Sequence, residues 1–527
     1  MEDPFATQPD SGVEHLETSD RTVAAIDIGA NSVRMVIAQV ESDGSIQVLE
    51  RFQRAVRLGQ DVFRQSRLGS QSMRAAVAIV RDYSQRLRAL GARRVRAVAT
   101  SAVREASNSD TLLDRIFMAT GLHVEVIDTS EESRLIVSAV CKVLTEVLNG
   151  DQSEVLVADV GGGSTLLTVL RHGEIVASQS LRLGSIRLQE TLGTNDETPK
   201  RSAELYHQQI IKETLSPQRD LSLDKIDSFI AVGGDARFAA AEIGKPSDSG
   251  DISVIQRKPF DELVKRCEKM TAEKLSSTFG IPFAEAETLN PALRIYQILW
   301  QRTHAKTMIV SNVSMRDGLL LELARDVTGQ EDVALQQSIV QSALSLAHKY
   351  QVDIQHAETV ADLSVQLFDE LMADHGLTSR HRILLRVAAI LHEVGGFVSN
   401  RAHHKHSYYL IVNSEVFGLS RDERRIVAHV ARYHRRSSPK PVHTDYMMLP
   451  RQTRVVINKL AALLRVADAL ARGHVRSAND LQMERVGDDL VVYVAGDDDL
   501  FLEQRAISAK GNLFEEIYGM QVRLEPI

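Results

Sequence analysis

Two short turns carry the clearest chemical signal in this sequence. Asp27-Ile28-Gly29-Ala30-Asn31-Ser32 and Asp159-Val160-Gly161-Gly162-Gly163-Ser164 share one pattern: an apolar run ending on an acid, then an apolar residue, glycine, two residues and serine. Glycines turn the backbone tightly and present N–H groups to an anion with no Cβ in the way. The serine hydroxyl adds a donor. An aspartate at the end of a strand can hold a divalent cation, for Mg²⁺ usually through water. Asp159 and Asp27 are therefore candidate ligands for Mg²⁺ or Mn²⁺. Neither turn is a P-loop, because Gly-Lys-Ser/Thr is missing and a hairpin follows in place of a helix. One such turn is weak evidence; two in matched settings could grip a phosphate chain from both sides.

The flanking segments explain how two turns could face each other. VAAID (23–27) and VLVAD (155–159) read as strands that end on the acid, and VRMVIAQV (33–40) and TLLTVLR (165–171) read as the returning strands. Ser42-Asp43-Gly44-Ser45 and His172-Gly173 then turn the chain again. Apolar spacing predicts a helix over about 70–90 and another over 108–120, with strands at 95–100 and 123–127. The repeat suggests a duplicated α/β unit. FIAVGG (229–234) opens a third glycine loop. Beyond about residue 330 helical patterns dominate, and the stretch from LQMERV onward is strand-rich. Boundaries fall near 20, 137, 330 and 476, giving segments 21–137, 138–329, 330–475 and 476–527, preceded by an acidic tail over 1–20 expected to be disordered.

Bulk properties narrow the function. The chain has 527 residues, 43% of them apolar and 25% charged, as in a soluble globular protein of three or four domains. Two cysteines, Cys141 and Cys267, fit a reducing compartment better than a disulfide framework. There is no apolar run of about 18 residues to span a bilayer and no signal peptide, so a cytoplasmic location with no membrane partner is expected. Net charge is −8, yet residues 380–476 hold 18 Lys and Arg against 6 Asp and Glu, and nine of the 17 histidines. Such a local surplus of 12 positive charges reads either as a footprint for a polyanion or as a solvated basic face. Arg401, Lys405, Arg432, Arg435 and Arg436 are the residues expected to line a polyanion channel.

Several ordered motifs also resemble the exopolyphosphatase/guanosine pentaphosphate phosphohydrolase (Ppx/GppA) phosphatase family: AAIDIGANSVRMVIA, VRAVATSAVREA, VIDTSEESRLI, LVADVGGGST, SLRLGSIRL, MRDGLLL, AAILHEVG and HHKHSYYLI. The resemblance implies two actin-like (ribonuclease H-like) ATPase-superfamily domains. An all-helical HD-like domain and a small C-terminal α+β domain would follow. It implies that Glu132 is the general base for water, that Arg104 contacts phosphate, and that Asn31, Ser32, Gly161, Gly162, Gly163 and Ser164 form phosphate loops. Asp159 matches an acid associated with magnesium. Two positions depart from the family pattern. Leu166 stands where a metal-linked glutamate is usual, and Asp235 stands where the third loop usually carries threonine.

The segment 348–476 resembles the HD-type metal phosphohydrolase domain, whose His, His-Asp and distant Asp would correspond to His356, His392, Glu393 and Asp468. Imidazole with carboxylate suits Mn²⁺, Fe or Zn²⁺. Glu393 in place of aspartate argues for a degenerate site without metal, used for scaffolding, dimerisation and guiding substrate. His404, His406, His429 and His434 could complete a site or bind phosphate. The expectation is a homodimeric exopolyphosphatase that hydrolyses inorganic polyphosphate. The rivals are hydrolysis of guanosine pentaphosphate and a catalytically weak polyphosphate or alarmone sensor.

Overall fold

The computed structural model describes residues 21–144, 154–171, 174–194, 197–214, 223–247, 250–329, 333–435, 438–471, 481–494 and 500–526. The expected N-terminal tail, the His172-Gly173 turn, the boundary near 476 and Arg436 lie outside the described residues. These residues form two compact units divided near residue 331, with residues 174–178 grouped with the second.

The first unit contains both halves of the duplication. In its first half β1 (Thr22–Ile28), β2 (Ser32–Val40), β3 (Ile46–Ala55), β4 (Arg94–Ala99) and β5 (Val124–Val126) form a sheet in the order β3-β2-β1-β4-β5. The first three strands are antiparallel, and β4 and β5 run parallel to β1 and β4. This is the ribonuclease H-like order of actin-like domains. Every residue of β1 is buried because both faces of the sheet are covered. The outer strand β3 is mostly exposed and carries Glu50, Arg51 and Arg54, charges that discourage edge pairing.

Between the strands run α1 (Leu58–Gln65), α2 (Ser70–Ala89), α3 (Ser101–Glu105) and α4 (Ser109–Thr120), followed by α5 (Thr129–Val143). Helix α2 buries Met73, Ala76, Val80, Tyr83 and Leu87, an apolar stripe at helical spacing, and the Tyr83 hydroxyl donates to the Val33 carbonyl at 3.0 Å. The second half repeats the plan with β6 (Glu154–Val160), β7 (Thr165–Arg171), β8 (Glu174–Leu181), β9 (Ser228–Val232), β10 (Lys245–Pro246), β11 (Ile252–Gln256) and β12 (Thr307–Ser311). Their sheet order is β10-β11-β12-β9-β6-β7-β8. Residue 137, where a boundary was expected, lies within α5, and residues 145–153 between α5 and β6 lie outside the described residues.

The second unit is a helical bundle with a three-stranded sheet: β13 (Leu481–Val486), β14 (Asp489–Val494) and β15 (Gln521–Pro526). Leu481, Leu490, Val492 and Phe514 share one apolar core with Leu363, Leu385 and Leu463 of the bundle. The C-terminal piece is thus packed into the helical core.

Candidate active site

The duplicated strands bring both glycine turns to one cleft of about 380 Å³, lined by Asp27, Asn31, Ser32, Glu132, Asp159, Gly161, Gly162, Gly163 and Ser164. Each turn closes identically. The Gly29 amide donates to the Ser32 carbonyl at 3.0 Å, and the Gly161 amide to the Ser164 carbonyl at 2.9 Å. Asn31 reaches across the cleft, its side-chain amide donating to the Ala284 carbonyl at 3.1 Å. A third loop joins them at β9. Gly233 adopts φ +120°, and a Cβ there would come within 3.0 Å of the Tyr296 hydroxyl and 3.1 Å of an Asp159 carboxylate oxygen. Only glycine allows this approach.

Glu132 sits in the first turn of α5. Asp128 caps that helix, its carboxylate accepting from the Glu131 amide at 2.9 Å. The two neighbouring glutamates have opposite environments. Glu131 is held at about 2: burial would raise it, but Arg134 at 2.6 Å and Arg96 at 3.0 Å outweigh burial. Glu132, 5% exposed, is pushed up to about 7 by burial, with Asp27 and Asp159 adding to the shift and Arg104 at 3.2 Å opposing it. Glu131 is therefore a fixed structural anion. Glu132 faces the cleft with a carboxylate of raised basicity, the property a general base needs. Helix Met315–Thr328 supports α5 at Gly318, where a Cβ would lie 2.1 Å from the Leu135 carbonyl oxygen.

Arg104 donates to the Ile127 carbonyl at 2.6 Å and to Glu132. The arginines that line the cleft are Arg34, Arg237 and Arg316, which the sequence reading did not single out. Arg34 lies opposite Asp27 in the β1–β2 register, Arg237 follows the third glycine loop by two residues, and Arg316 belongs to the MRDG motif. Their positions beside glycine loops and strand-end acids were the available signal. Arg316 pairs with Asp27 at 3.3 Å and is lowered to about 10 by burial.

Leu166 lies opposite Asp159 in the β6–β7 register and also lines the cleft. Asp235 enters the cleft from the third loop. Burial pushes Asp159 up to about 6 and Asp235 up to about 7, against the pull of Arg34 and Arg237. Both carboxylates line the cleft, and carboxylate oxygen is the ligand type a hard cation takes. Asp159 and Asp235 are the cleft acids that could hold Mg²⁺, while Asp27 is engaged by Arg316.

A family model described as the Ppx/GppA phosphatase family matches residues 19–326, and one described as domain III of that family matches residues 340–509. This chain belongs to the Ppx/GppA phosphatase family. Ppx/GppA proteins are phosphoanhydride hydrolases, and the chain is a hydrolase of that kind. It is 27% identical over 418 residues to a guanosine-5'-triphosphate,3'-diphosphate pyrophosphatase of Vibrio parahaemolyticus, covering 78% of this chain and 80% of that protein. The corresponding protein of Aliivibrio fischeri is 26% identical over 457 residues, covering 84% and 86%. Among solved structures, an exopolyphosphatase from Cytophaga hutchinsonii superposes with a TM-score of 0.52 at 21% identity, covering 59% of this chain and 99% of that one. An exopolyphosphatase-like protein gives 0.51 at 23% identity, covering 58% and 98%. These two likenesses establish the actin-like fold of the first unit. No helix among the described residues is long and apolar enough to cross a membrane.

In the second unit His356, His392 and Glu393 bring ligand atoms within 4.8 Å of one another. His404, His406 and His429 are not part of that group. Burial lowers His404 to about 4 and His429 to about 3, so both are neutral at pH 7 and poor partners for phosphate. Arg401, Lys405 and Arg435 are exposed, and Arg432 stacks over the Tyr408 ring at 5.1 Å. Much of the basic surplus is spent internally: Arg380 pairs with Glu423, Arg382 with Asp369 and Arg386 with Asp362, and Arg465 is fully buried.

Proposed function

We propose that this chain removes the terminal 5'-phosphate of guanosine pentaphosphate by direct attack of water. The observation that carries the choice of substrate is the extent of similarity to the Vibrio and Aliivibrio pyrophosphatases, across more than three quarters of both chains. The cleft offers a second argument. Phe238, Ile281, Leu289 and Met315 give it an apolar wall beside the phosphate loops. An apolar wall suits a nucleoside and has nothing to offer a bare phosphate chain.

In this reading the amides of the first two glycine loops and the Ser32 and Ser164 hydroxyls cradle the terminal phosphates. Arg34 and Arg237 neutralise charge on the transferred phosphoryl oxygens. Glu132 accepts the proton of a water lying in line with the terminal phosphorus. Arg104 acts through Glu132, keeping its carboxylate ionised and oriented. A divalent cation held by Asp159 and Asp235 would supply further neutralisation of phosphate charge. Asp235 then provides the carboxylate that Leu166 cannot.

Hydrolysis of inorganic polyphosphate is the second reading, favoured by the exposed Arg401, Lys405 and Arg435 of the second unit. Phosphate release from guanosine pentaphosphate and from long-chain polyphosphate, measured side by side with Mg²⁺, decides between them. Preference for the nucleotide, with Phe238→Ala raising its KM and leaving that of tripolyphosphate unchanged, is the expected result. Preference for polyphosphate would replace the first reading with the second.

A further inference from the structure

The second unit gathers ligand-type side chains from five helical segments. His356 lies in the first turn of helix Ile354–Glu370, His392 and Glu393 follow helix Ser379–Leu391, and His403 opens helix His403–Asn413. His434 follows helix Arg421–Arg432, and Asp468 lies near the end of helix Arg451–Leu470. Ring centroids stand 5.8 Å apart for His356 and His392, 5.0 Å for His392 and His434, and 5.2 Å for His434 and His403. His392 is fully buried, with Nδ1 at 2.6 Å from the Ala389 carbonyl oxygen. A carbonyl only accepts, so Nδ1 donates to it and Nε2 is the ring atom left to meet a ligand. That Nε2 has no hydrogen-bond partner. His434 also sets Nδ1 against a carbonyl, that of Ala431 at 2.5 Å, while its Nε2 meets His403 Nε2 at 3.2 Å. A carbonyl holding Nδ1 while Nε2 points inward is how metal-binding histidines are oriented.

The distant acid of the cluster already has a cation. Lys510, the last residue of helix Phe501–Lys510, forms an ion pair with one carboxylate oxygen of Asp468, and the other oxygen is 4.0 Å from His356 Nε2. Asp468 is 1% exposed and Lys510 6%. A buried carboxylate needs a counter-charge. A dication placed beside a buried ammonium would be strongly repelled, because the interior screens poorly.

We propose that the Lys510 ammonium is the resident cation of this cluster, neutralising Asp468 beside the His356–His392–Glu393 set and fastening the C-terminal helix to the bundle, and that removing it opens a transition-metal site on His356, His392 and Glu393. The helical unit is thus pinned by a cation the chain carries itself. The ligand class of the opened site is a borderline divalent ion such as Zn²⁺ or Co²⁺, which imidazole and carboxylate favour.

Co²⁺ titration of the full-length protein, followed by visible absorption and elemental analysis after gel filtration, tests this. Wild type should retain less than about a tenth of an equivalent, and Lys510→Ala about one equivalent, as a completed site does. Adding His392→Ala should abolish the gain. Lys510→Met preserves the apolar stem and serves if the alanine variant fails to fold. Stoichiometric Co²⁺ in wild type would overturn the proposal, as would folded Lys510 variants that bind none. If neither variant folds, acetylation of native wild type with an amine-reactive ester decides, read by mass spectrometry. Lys510 protected until the protein is unfolded is the expected result. Labelling at the rate of the exposed Lys405 would overturn it.

Discussion

Replacing Arg104 with glutamine removes the one cation in contact with Glu132 among the described residues. The Arg104 guanidinium lies 3.2 Å from the Glu132 carboxylate. At that separation two unit charges interact by about 5 kcal/mol at an effective dielectric near 20. The realised shift is smaller, because Arg104 also serves the Ile127 carbonyl and opposite charges at this range usually move a carboxyl by roughly 1–3 units. Burial already pushes Glu132 up to about 7. A base works when ionised, so kcat/KM for guanosine pentaphosphate should rise with pH through about 7 in wild type. In Arg104→Gln that rise should move to about 8–10. Activity at pH 7 should fall at least about fivefold, most of it recovered at high pH. The assay is phosphate release at saturating Mg²⁺ from pH 5.5 to 10, with circular dichroism confirming the fold. An unshifted profile with a uniform loss at every pH would refute the reasoning. It would place Arg104 on the phosphate, as the family resemblance implies.

Three further outcomes follow from the same geometry. Glu132→Gln should stabilise the protein at pH 8 by on the order of 1–2 kcal/mol: the folded-state value is raised, so the cost of burying the charged carboxylate is absent at low pH and complete above about 7. The difference in Tm should shrink as pH falls from 8 to 5, and a destabilised variant at pH 8 would contradict this. Gly318→Ala should cost about 1–3 kcal/mol and reduce turnover, because its Cβ would meet the Leu135 carbonyl and displace α5; an unchanged Tm would contradict the close packing. Asp235→Asn should weaken Mn²⁺ binding measured by electron paramagnetic resonance, and adding Leu166→Glu should restore it. An Asp235→Asn variant that binds Mn²⁺ like wild type would remove Asp235 from the metal site.

The sequence exposed what is local and left hidden what depends on distant packing. The two Asp-Gly-Ser turns were legible because each is a strand, a tight turn and a strand within a few residues, and their cleft follows once the duplication is seen. Helix α1 was missed: it is eight residues long and has no side-chain cap. Arg34, Arg237 and Arg316 escaped notice because an arginine in a strand or beside a loop has many ordinary roles, and only the fold brings three of them into one cleft. The opposite environments of Glu131 and Glu132 rest on Arg96 and Arg134 in one case and on burial, only partly offset by Arg104, in the other. Lys510 was invisible as a partner of Asp468, 42 residues earlier, since nothing in the intervening chain indicates that the last helices fold back onto the bundle.

The central claim is that Glu132 is the base that activates water in the glycine-loop cleft. Steady-state hydrolysis of guanosine pentaphosphate by wild type and Glu132→Gln, at pH 8 with saturating Mg²⁺, tests it most directly. The carboxamide keeps the shape and the contact with Arg104 but cannot take a proton. Turnover should fall about 10²–10⁴-fold while KM stays within about threefold, because no group that grips phosphate has changed. Turnover near that of wild type would contradict the account and move the base elsewhere in the cleft.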